Sequence, residues 1–500
     1  MMKRFVFTIC LAVTAVLALH AQGLYRGEIV INSNGQIYTQ TASILDVFYT
    51  TGIHSFELVT TFMGDDLRLD LEDVLSAQSD GITTFSTEQD ATTTLGTMHT
   101  IMFARATDGM MVADFTFPTQ NITMRFNSVG DHFQLPNGNL EAWTASTGEP
   151  DRWHGFKSAG GSYATTSASL VKLAKSNDVR EGATGYSAVM TANSIIGIVA
   201  NGTMTNGRLM AGSMSAASYD NHAEMDKSST ETDANGDLFY MPLYAKPDKF
   251  NVWLKYTQGT TNNNFKASVS VKTFDGTYYQ EPDDDVYTNI SGSIVGGQIP
   301  AGGWTHYSFP FDYDSYAANG AASEAIFVTF STNGTPGQGY KNDALYVDDM
   351  ELVYLGNMTD LRYQGVTING WNPAVTTYNM EMAAEPNLDD FTATIEGVSA
   401  VVTKTMEQNQ DGTYRIAISV VAADLQTASC YIINVSVPQG LIGDVDDSGK
   451  VEISDVTALI DYLLNGSGAS INSHNADVDY SGKVEISDVT ILIDLLLSGN

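Results

Sequence analysis

Asp444-Val-Asp-Asp-Ser-Gly-Lys-Val-Glu-Ile-Ser-Asp455 returns 33 residues later as Asp477-Val-Asp-Tyr-Ser-Gly-Lys-Val-Glu-Ile-Ser-Asp488, with only the fourth position changed. A twelve-residue calcium loop takes oxygen donors at its first, third and fifth positions, glycine at the sixth for the sharp turn, a main-chain carbonyl at the seventh and an acidic ligand at the twelfth. Both stretches comply. Asp444, Asp446, Ser448, the Lys450 carbonyl and Asp455 make one set, with Glu452 at the ninth position placed to ligate directly or through water. Asp477, Asp479, Ser481, Lys483, Glu485 and Asp488 repeat it. Each loop crowds four carboxylates into ligand positions, and these repel one another unless a divalent cation sits between them. Two Ca2+ ions are therefore expected in this segment.

Behind each loop the apolar residues recur at helical spacing: Val456, Leu459, Ile460 and Leu463, then Val489, Leu492, Ile493 and Leu496. Each loop thus opens an amphipathic helix. In an ordinary EF-hand a helix also precedes the loop and glutamate closes it, whereas here Gly443 and Ala476 precede and aspartate closes both. This pattern resembles a type I dockerin. The resemblance implies a small calcium-folded domain over residues 439–500 whose helices offer near-equivalent faces to a cohesin module on another protein. Many dockerins carry a Ser/Thr pair at the tenth and eleventh loop positions, where this chain has Ile453-Ser454 and Ile486-Ser487. That departure leaves the partner's identity open. With no partner at all, the same residues describe a calcium-stapled terminal domain.

At the other end, Met1-Met-Lys-Arg4 and the apolar run Phe5 to Leu19 read as a signal peptide over residues 1–22, too short to span a bilayer. Export is expected, to the medium, the cell surface or the periplasm. Only Cys430 survives cleavage, in the alternating run Ser429-Cys-Tyr-Ile-Ile-Asn-Val-Ser-Val437, where a buried strand cysteine is the expected reading. The balance of 24 basic against 58 acidic residues gives a formal charge of −34, which opposes nucleic acid and anionic membranes. No second apolar stretch is long enough to cross a membrane. With 10% aromatic residues and no long acidic block, the 500-residue chain reads as several folded modules in series.

The fold class expected is mainly β: a barrel, a jelly-roll sandwich and an immunoglobulin-like sandwich, closed by the small helical domain. Residues 23–129 alternate between breaks of glycine, asparagine and aspartate. Phrases such as Tyr25-Arg-Gly-Glu-Ile-Val-Ile31 and Met111-Val-Ala-Asp-Phe-Thr-Phe117 resemble calycin-like β-barrel domains. Such a barrel either holds a small apolar ligand or is filled by its own side chains, and the filled reading is favoured because nothing in the sequence marks a cavity.

Residues 130–357 again read as strand and loop. Asn137-Gly-Asn-Leu-Glu141-Ala-Trp143 opens them and Ala344-Leu-Tyr-Val-Asp-Asp-Met-Glu-Leu352 closes them, phrases similar to jelly-roll carbohydrate-binding modules. The body, with Ala200-Asn-Gly-Thr-Met-Thr-Asn-Gly-Arg-Leu209, looks closer still to a family named for an inferred role in carbohydrate metabolism. In jelly rolls of this kind a structural calcium often sits where the first and last strands meet. The resemblance carries that role to Glu141 and Asp349, against the alternative of solvated strand ends. Residues 358–438, with Leu361-Arg-Tyr-Gln-Gly-Val-Thr-Ile-Asn-Gly-Trp371, resemble a cadherin-like or immunoglobulin-like spacer, joined to the helical domain with almost no linker.

Sugar recognition pairs an aromatic ring on the apolar pyranose face with polar groups on its hydroxyls. Trp153, Tyr219, Tyr240, Tyr278, Tyr279 and Tyr340 lie in or beside polar loops and are the candidates, while Trp143, Trp253 and Trp304 sit among apolar strand residues and read as core. No nucleophile elbow, zinc helix, CxxC pair or phosphate loop is recognisable, and 58 acidic residues supply too many pairs to choose a catalytic one. Asp283-Asp-Asp285 reads as a solvated turn rather than a metal site. The expected function is therefore an exported modular protein that binds polysaccharide through the jelly roll and docks to a cohesin-type partner through its terminus. The alternative is glycoside hydrolase or lyase activity in the jelly roll; convergent carboxylates would favour the enzyme and a flat aromatic face the binder.

Overall fold

The computed structural model describes residues 23–50, 53–195, 197–260, 264–382, 384–409, 411–437, 441–465, 471–479 and 483–498. The expected signal peptide, the junction at 438–440 and the loop ligand Ser481 lie outside them. Two compact units divide the chain: residues 1–360 with 393–403 and 419–429, and residues 361–392, 404–418 and 430–500.

The first unit begins with a closed antiparallel barrel of eight strands: β1 (Gly23–Ser33), β2 (Gln36–Thr50), β3 (Ile53–Phe62), β4 (Asp65–Ser79), β5 (Ile82–Thr93), β6 (Gly96–Thr107), β7 (Met110–Phe117) and β8 (Ile122–Asn127). Closure comes from β1 against β8, from Glu28 opposite Asn127 to Ser33 opposite Ile122. The turns explain the tight up-and-down path. Asn34-Gly35, Met63-Gly64, Asp80-Gly81 and Asp108-Gly109 all hold positive φ at both residues, the two-residue geometry that matches strand twist. Alternate side chains such as Ile29, Ile31, Phe56, Leu58, Leu69 and Phe126 pack inward as one buried cluster. The interior is built of packed side chains, in keeping with the filled reading. Outward-facing Ile82 and Val112 join a different core, shared with Val401, Val421 and Leu425. Arg105, 1% exposed, donates from Nε to the Leu425 carbonyl at 2.7 Å, and Thr84 Oγ1 lies 2.6 Å from Thr403 Oγ1.

The sandwich follows in the same unit. Its hydrogen-bonded path runs through Lys172–Ser176, Ser187–Thr191, Ala344–Val353, Lys249–Thr257 and Gly302–Asp312, then on to Ile290–Ile294, Ala267–Phe274, Ala325–Ser331 and Thr203–Thr205. Gly302–Asp312 pairs with Lys249–Thr257 along most of its length and with Ile290–Ile294 at its end, so one strand serves two layers. Phe250, Val252 and Leu254 from one layer and Val269, Val271 and Phe274 from the other meet in a single buried cluster.

Residues 357–436 form two further sheets. One holds Val366–Thr367, Asn357–Tyr363 and Phe391–Glu396; the other holds Thr377–Glu381, Ala428–Ser436, Tyr414–Val421 and Val401–Gln408, the first two of these running parallel. Cys430 departs from expectation here. Tyr431, Ile433 and Val435 take the buried face of their strand, which leaves Cys430 half-buried on the opposite one.

The terminal domain is helical: α2 (Ile453–Asn465), the short α3 (Ser473–Ala476) and α4 (Ile486–Ser498), where α1 is a helix of about two turns in the sandwich (Ala164–Leu170). Its core repeats with the sequence, as Val445, Val456 and Leu459 pack with Val478, Val489 and Leu492. Ile460 and Ile493, expected in the apolar stripe, are each 38% exposed. The narrow i, i+3, i+7 seam of Val456, Leu459 and Leu463 already fills this small interface and turns them outward.

Candidate functional site

In the terminal domain the helices begin at the tenth loop position, which puts Asp455 and Asp488 in their first turns, fully buried. Carboxylate oxygens of Asp444, Asp446 and Asp455 lie within 4.8 Å of one another, as do those of Asp477, Asp479 and Asp488. Main-chain amides shape the first loop around that point: Ser448 N donates to Asp444 Oδ1 at 2.8 Å, Gly449 N to Asp444 Oδ2 at 2.8 Å, and Glu452 N to Asp455 Oδ2 at 2.7 Å. In the second, Asp479 N and Glu485 N donate to the two oxygens of Asp488 at 3.1 and 2.8 Å. Ser448 Oγ lies 3.3 Å from both Asp444 Oδ1 and the Lys450 carbonyl. These hard oxygen donors fit Ca2+. Glu452 and Glu485 stand outside the convergent triplets.

The sandwich holds a second feature, an open groove of about 780 Å³. Strand alternation makes its floor: Ala267, Val269, Val271 and Thr273 turn to the core, so Ser268, Ser270 and Lys272 face out beside Thr329 and Ser331. A small sheet of Arg208–Ala211, Asn221–Met225 and Tyr279–Glu281 builds one wall. The approach to that wall is held by Asn206, 1% exposed, which donates to the Ile326 carbonyl at 2.9 Å and accepts from Val328 N at 2.8 Å. A Cβ on Gly207 would collide with the Glu224 carbonyl and the Phe327 ring, so only glycine allows the chain to pass there.

A charged cluster sits in the groove. Lys272 Nζ lies 2.8 Å from Glu281 Oε1 and 3.6 Å from Asp283 Oδ1, and it also bonds the Tyr279 phenol oxygen. Ser270 Oγ donates to Glu281 Oε1 at 2.6 Å, and the Tyr279 hydroxyl to Asp283 Oδ1 at 2.5 Å. Burial works against the Lys272 ammonium, but Glu281 and then Asp283 outweigh it and raise its pKa above the usual lysine value. Burial, then Glu281 and Asp283, push the Tyr279 phenol far up, which keeps it a neutral donor. His222, also in the lining, bonds Glu224 Oε2 at 3.0 Å; burial opposes its charged form and Glu224 overcomes it, so its pKa is raised.

The aromatic candidates fare differently. Trp153 is fully buried, its Nε1 donating to the Pro136 carbonyl at 3.2 Å, and Tyr279 is buried beneath the cluster. Tyr219, Tyr278 and Tyr340 are exposed and Tyr240 is half-buried, yet the rings that line the groove are Phe156 and Tyr163. Trp143 packs half-buried against the core. Trp253 and Trp304, read as core, stand half-buried on the outer face of their layer, because Val252 and Leu254 take the inner positions. Trp304 Nε1 donates there to Asp178 at 3.0 Å. Asp283–Asp285 is an exposed turn, of which Asp283 reaches the groove.

The two carboxylates expected to share a jelly-roll calcium are engaged with protein groups. Glu141 Oε1 accepts from Tyr186 N at 2.9 Å, and Asp349 Oδ2 from Arg180 Nε at 2.6 Å. Among the described residues they join no convergent triplet of ligands. Neighbouring Asp348, 3% exposed, has its pKa pushed up to about 7 by burial first, then by Asp349, with Glu141 adding to it.

Residues 442–497 match the family model of the dockerin type I domain. The chain carries a C-terminal dockerin type I domain. The convergent acidic triplets described above fit the calcium binding of that domain family. No curated protein matches the chain. Among solved structures, a Clostridium thermocellum endo-1,4-beta-D-xylanase fragment with CBM22-1 and GH10 modules, complexed with xylohexaose, aligns at 10% identity over 49% of this chain and 33% of its own, with a TM-score of 0.21. Carbohydrate-binding modules from the beta-sandwich superfamily align at 9% identity over 59% and 97%, TM-score 0.21. SGBP-B from a xyloglucan utilisation locus of Bacteroides uniformis aligns at 12% over 63% and 82%, TM-score 0.18. The chain thus spans a third of the first of these, and at such TM-scores none carries an argument about fold or ligand. Among the described residues no helix is long and apolar enough to cross a membrane.

Proposed function

We propose that this protein is exported, binds a polysaccharide in the sandwich groove and is attached to a cohesin-bearing partner by its dockerin domain. The observation that carries the glycan half is the groove itself. Its 780 Å³ falls in the range of ligand-sized sites, and its lining mixes hydroxyls, amides and a carboxylate pair with the apolar side chains of Leu209, Met210 and Met214. That mixture matches a sugar, which has apolar ring faces and a rim of hydroxyls. The docking half rests on the dockerin match together with two outward stripes one repeat apart. Ile453, Ile460 and Leu464 on α2 are 73, 38 and 78% exposed, and Ile486, Ile493 and Leu497 on α4 are 72, 38 and 80% exposed. Spacings of seven and eleven residues put each trio on one side of its helix. Two calcium ions in the dockerin loops belong to this reading, as does a structural cation at Glu141 and Asp349.

The convergence of Glu281 and Asp283 supports a second reading, hydrolysis of the bound glycan, since two carboxylates across a bond are what that reaction uses. A panel of soluble and insoluble polysaccharides, incubated with the full chain in calcium and followed by product analysis, separates the readings. Retention without new reducing ends supports a binder; release of fragments supports the hydrolase; no retention on any glycan refutes the groove assignment. Calcium-dependent capture by a type I cohesin tests docking, and failure across a cohesin panel reduces the domain to a structural terminus.

A further inference from the structure

We infer, building on the groove reading above, that the site selects neutral glycans that offer paired hydroxyl donors, and rejects uronate-rich and sulfated chains. The geometry of Lys272, Tyr279, Glu281 and Asp283 carries this. Each carboxylate has one oxygen bonded to the protein: Glu281 Oε1 by Ser270 and Lys272, Asp283 Oδ1 by Tyr279 and Lys272. The second oxygens, Glu281 Oε2 and Asp283 Oδ2, make no hydrogen bond among the described residues. Each lies on a residue of the groove lining. An ionised carboxylate only accepts hydrogen bonds, so these two positions recognise donors, and adjacent sugar hydroxyls supply them.

The electrostatics point the same way. Lys272 faces two carboxylates, and the His222 imidazole is hydrogen-bonded to Glu224 at 3.0 Å, so both basic side chains of the lining are already engaged with carboxylates of the protein. Asp283 leaves the Lys272 cluster with an excess negative charge. A uronate or sulfate placed here brings acceptors where donors are needed and adds repulsion in a partly desolvated site. The buried, neutral Tyr279 and the anchored Lys272 hold the carboxylate pair in place before any ligand arrives, which lowers the ordering cost of binding.

The test uses the full chain in calcium with defined oligosaccharides in titration calorimetry: neutral cello-, xylo- and manno-oligomers on one side, oligogalacturonate and a sulfated oligosaccharide on the other. At least one neutral series should bind, with little dependence on salt, and the anionic series at least about tenfold more weakly. The double variant Glu281→Gln, Asp283→Asn should weaken neutral binding by about tenfold or more, because charged acceptors are lost, and narrow the gap to anionic ligands. Anionic ligands bound as tightly as neutral ones by the wild type would overturn the inference while leaving a glycan groove standing. Unchanged neutral affinity in a folded double variant would overturn it too. Should that variant not fold, wild-type neutral binding that weakens steeply with salt counts against it. No binding by the wild type to either series refutes the groove reading itself.

Discussion

Withdrawing calcium should unfold the dockerin domain and leave the barrel untouched. At an effective dielectric constant near 20, the buried carboxylates of Asp444 and Asp455, within 4.8 Å of each other, repel by about 3.5 kcal/mol or more. Against this, Val445, Val456 and Leu459 contribute about 1.5 to 3 kcal/mol each by burial, roughly 5 to 9 kcal/mol per repeat. Repulsion therefore offsets a large part of the core's gain before chain entropy is counted. Asp455 and Asp488, fully buried, have no route to bulk water that keeps the helices in place. Hydrogen exchange on the intact chain reads this by peptide. With excess chelator, protection should vanish across residues 441–498 and persist across Gly23–Asn127; Asp444→Ala with Asp477→Ala should reproduce the loss in calcium. Equal protection of the terminal helices with and without calcium would refute the reasoning.

Three further outcomes are expected. His154 is fully buried, 3.6 Å from Asp233, and burial lowers its pKa to about 4. The unfolded imidazole takes its proton near 6.5, so the unfolded state binds more protons between pH 6.5 and 4 and stability falls as pH drops through that window. At about 1.4 kcal/mol per pH unit the loss approaches 3 kcal/mol; thermal melts of wild type and His154→Gln should differ in slope only there, and parallel curves would contradict it. Gly207→Ala should destabilise the sandwich by about 1 to 3 kcal/mol through overpacking against Glu224 and Phe327, read as a shifted denaturant midpoint with an unchanged slope. Ile453→Asp or Ile486→Asp alone should weaken cohesin capture little, because the other stripe remains, while both together should abolish it; a single variant as damaging as the double would mean one fixed orientation.

Local periodicity carried much of the architecture. The alternation in Ala267, Val269 and Val271 is the sandwich core, and the turn pairs Asn34-Gly35 and Asp80-Gly81 set the barrel's hairpins. The calcium loops were legible because their ligands are close in sequence. The groove was not, because its floor comes from residues 268–272 and 329–331 while its walls come from 198–223 and 281–283, and only the folded layers bring these together. Polar residues at the outward positions of Ala267–Phe274 were the one available signal. Trp153 misled for the opposite reason: its polar loop, Pro150-Asp-Arg-Trp153, folds back so that the ring meets Phe330 in the core.

The most direct test of the account is glycan retention by Ser268→Trp. Ser268 lies on the groove floor, on the same strand face as Ser270 and Lys272, and an indole there projects into the groove and obstructs it. If the groove is the binding site, the full-length variant should melt with the wild type, keep its calcium-dependent cohesin capture and lose retention on every polysaccharide that the wild type holds. Retention equal to wild type in a folded Ser268→Trp protein would place glycan binding elsewhere and contradict the account.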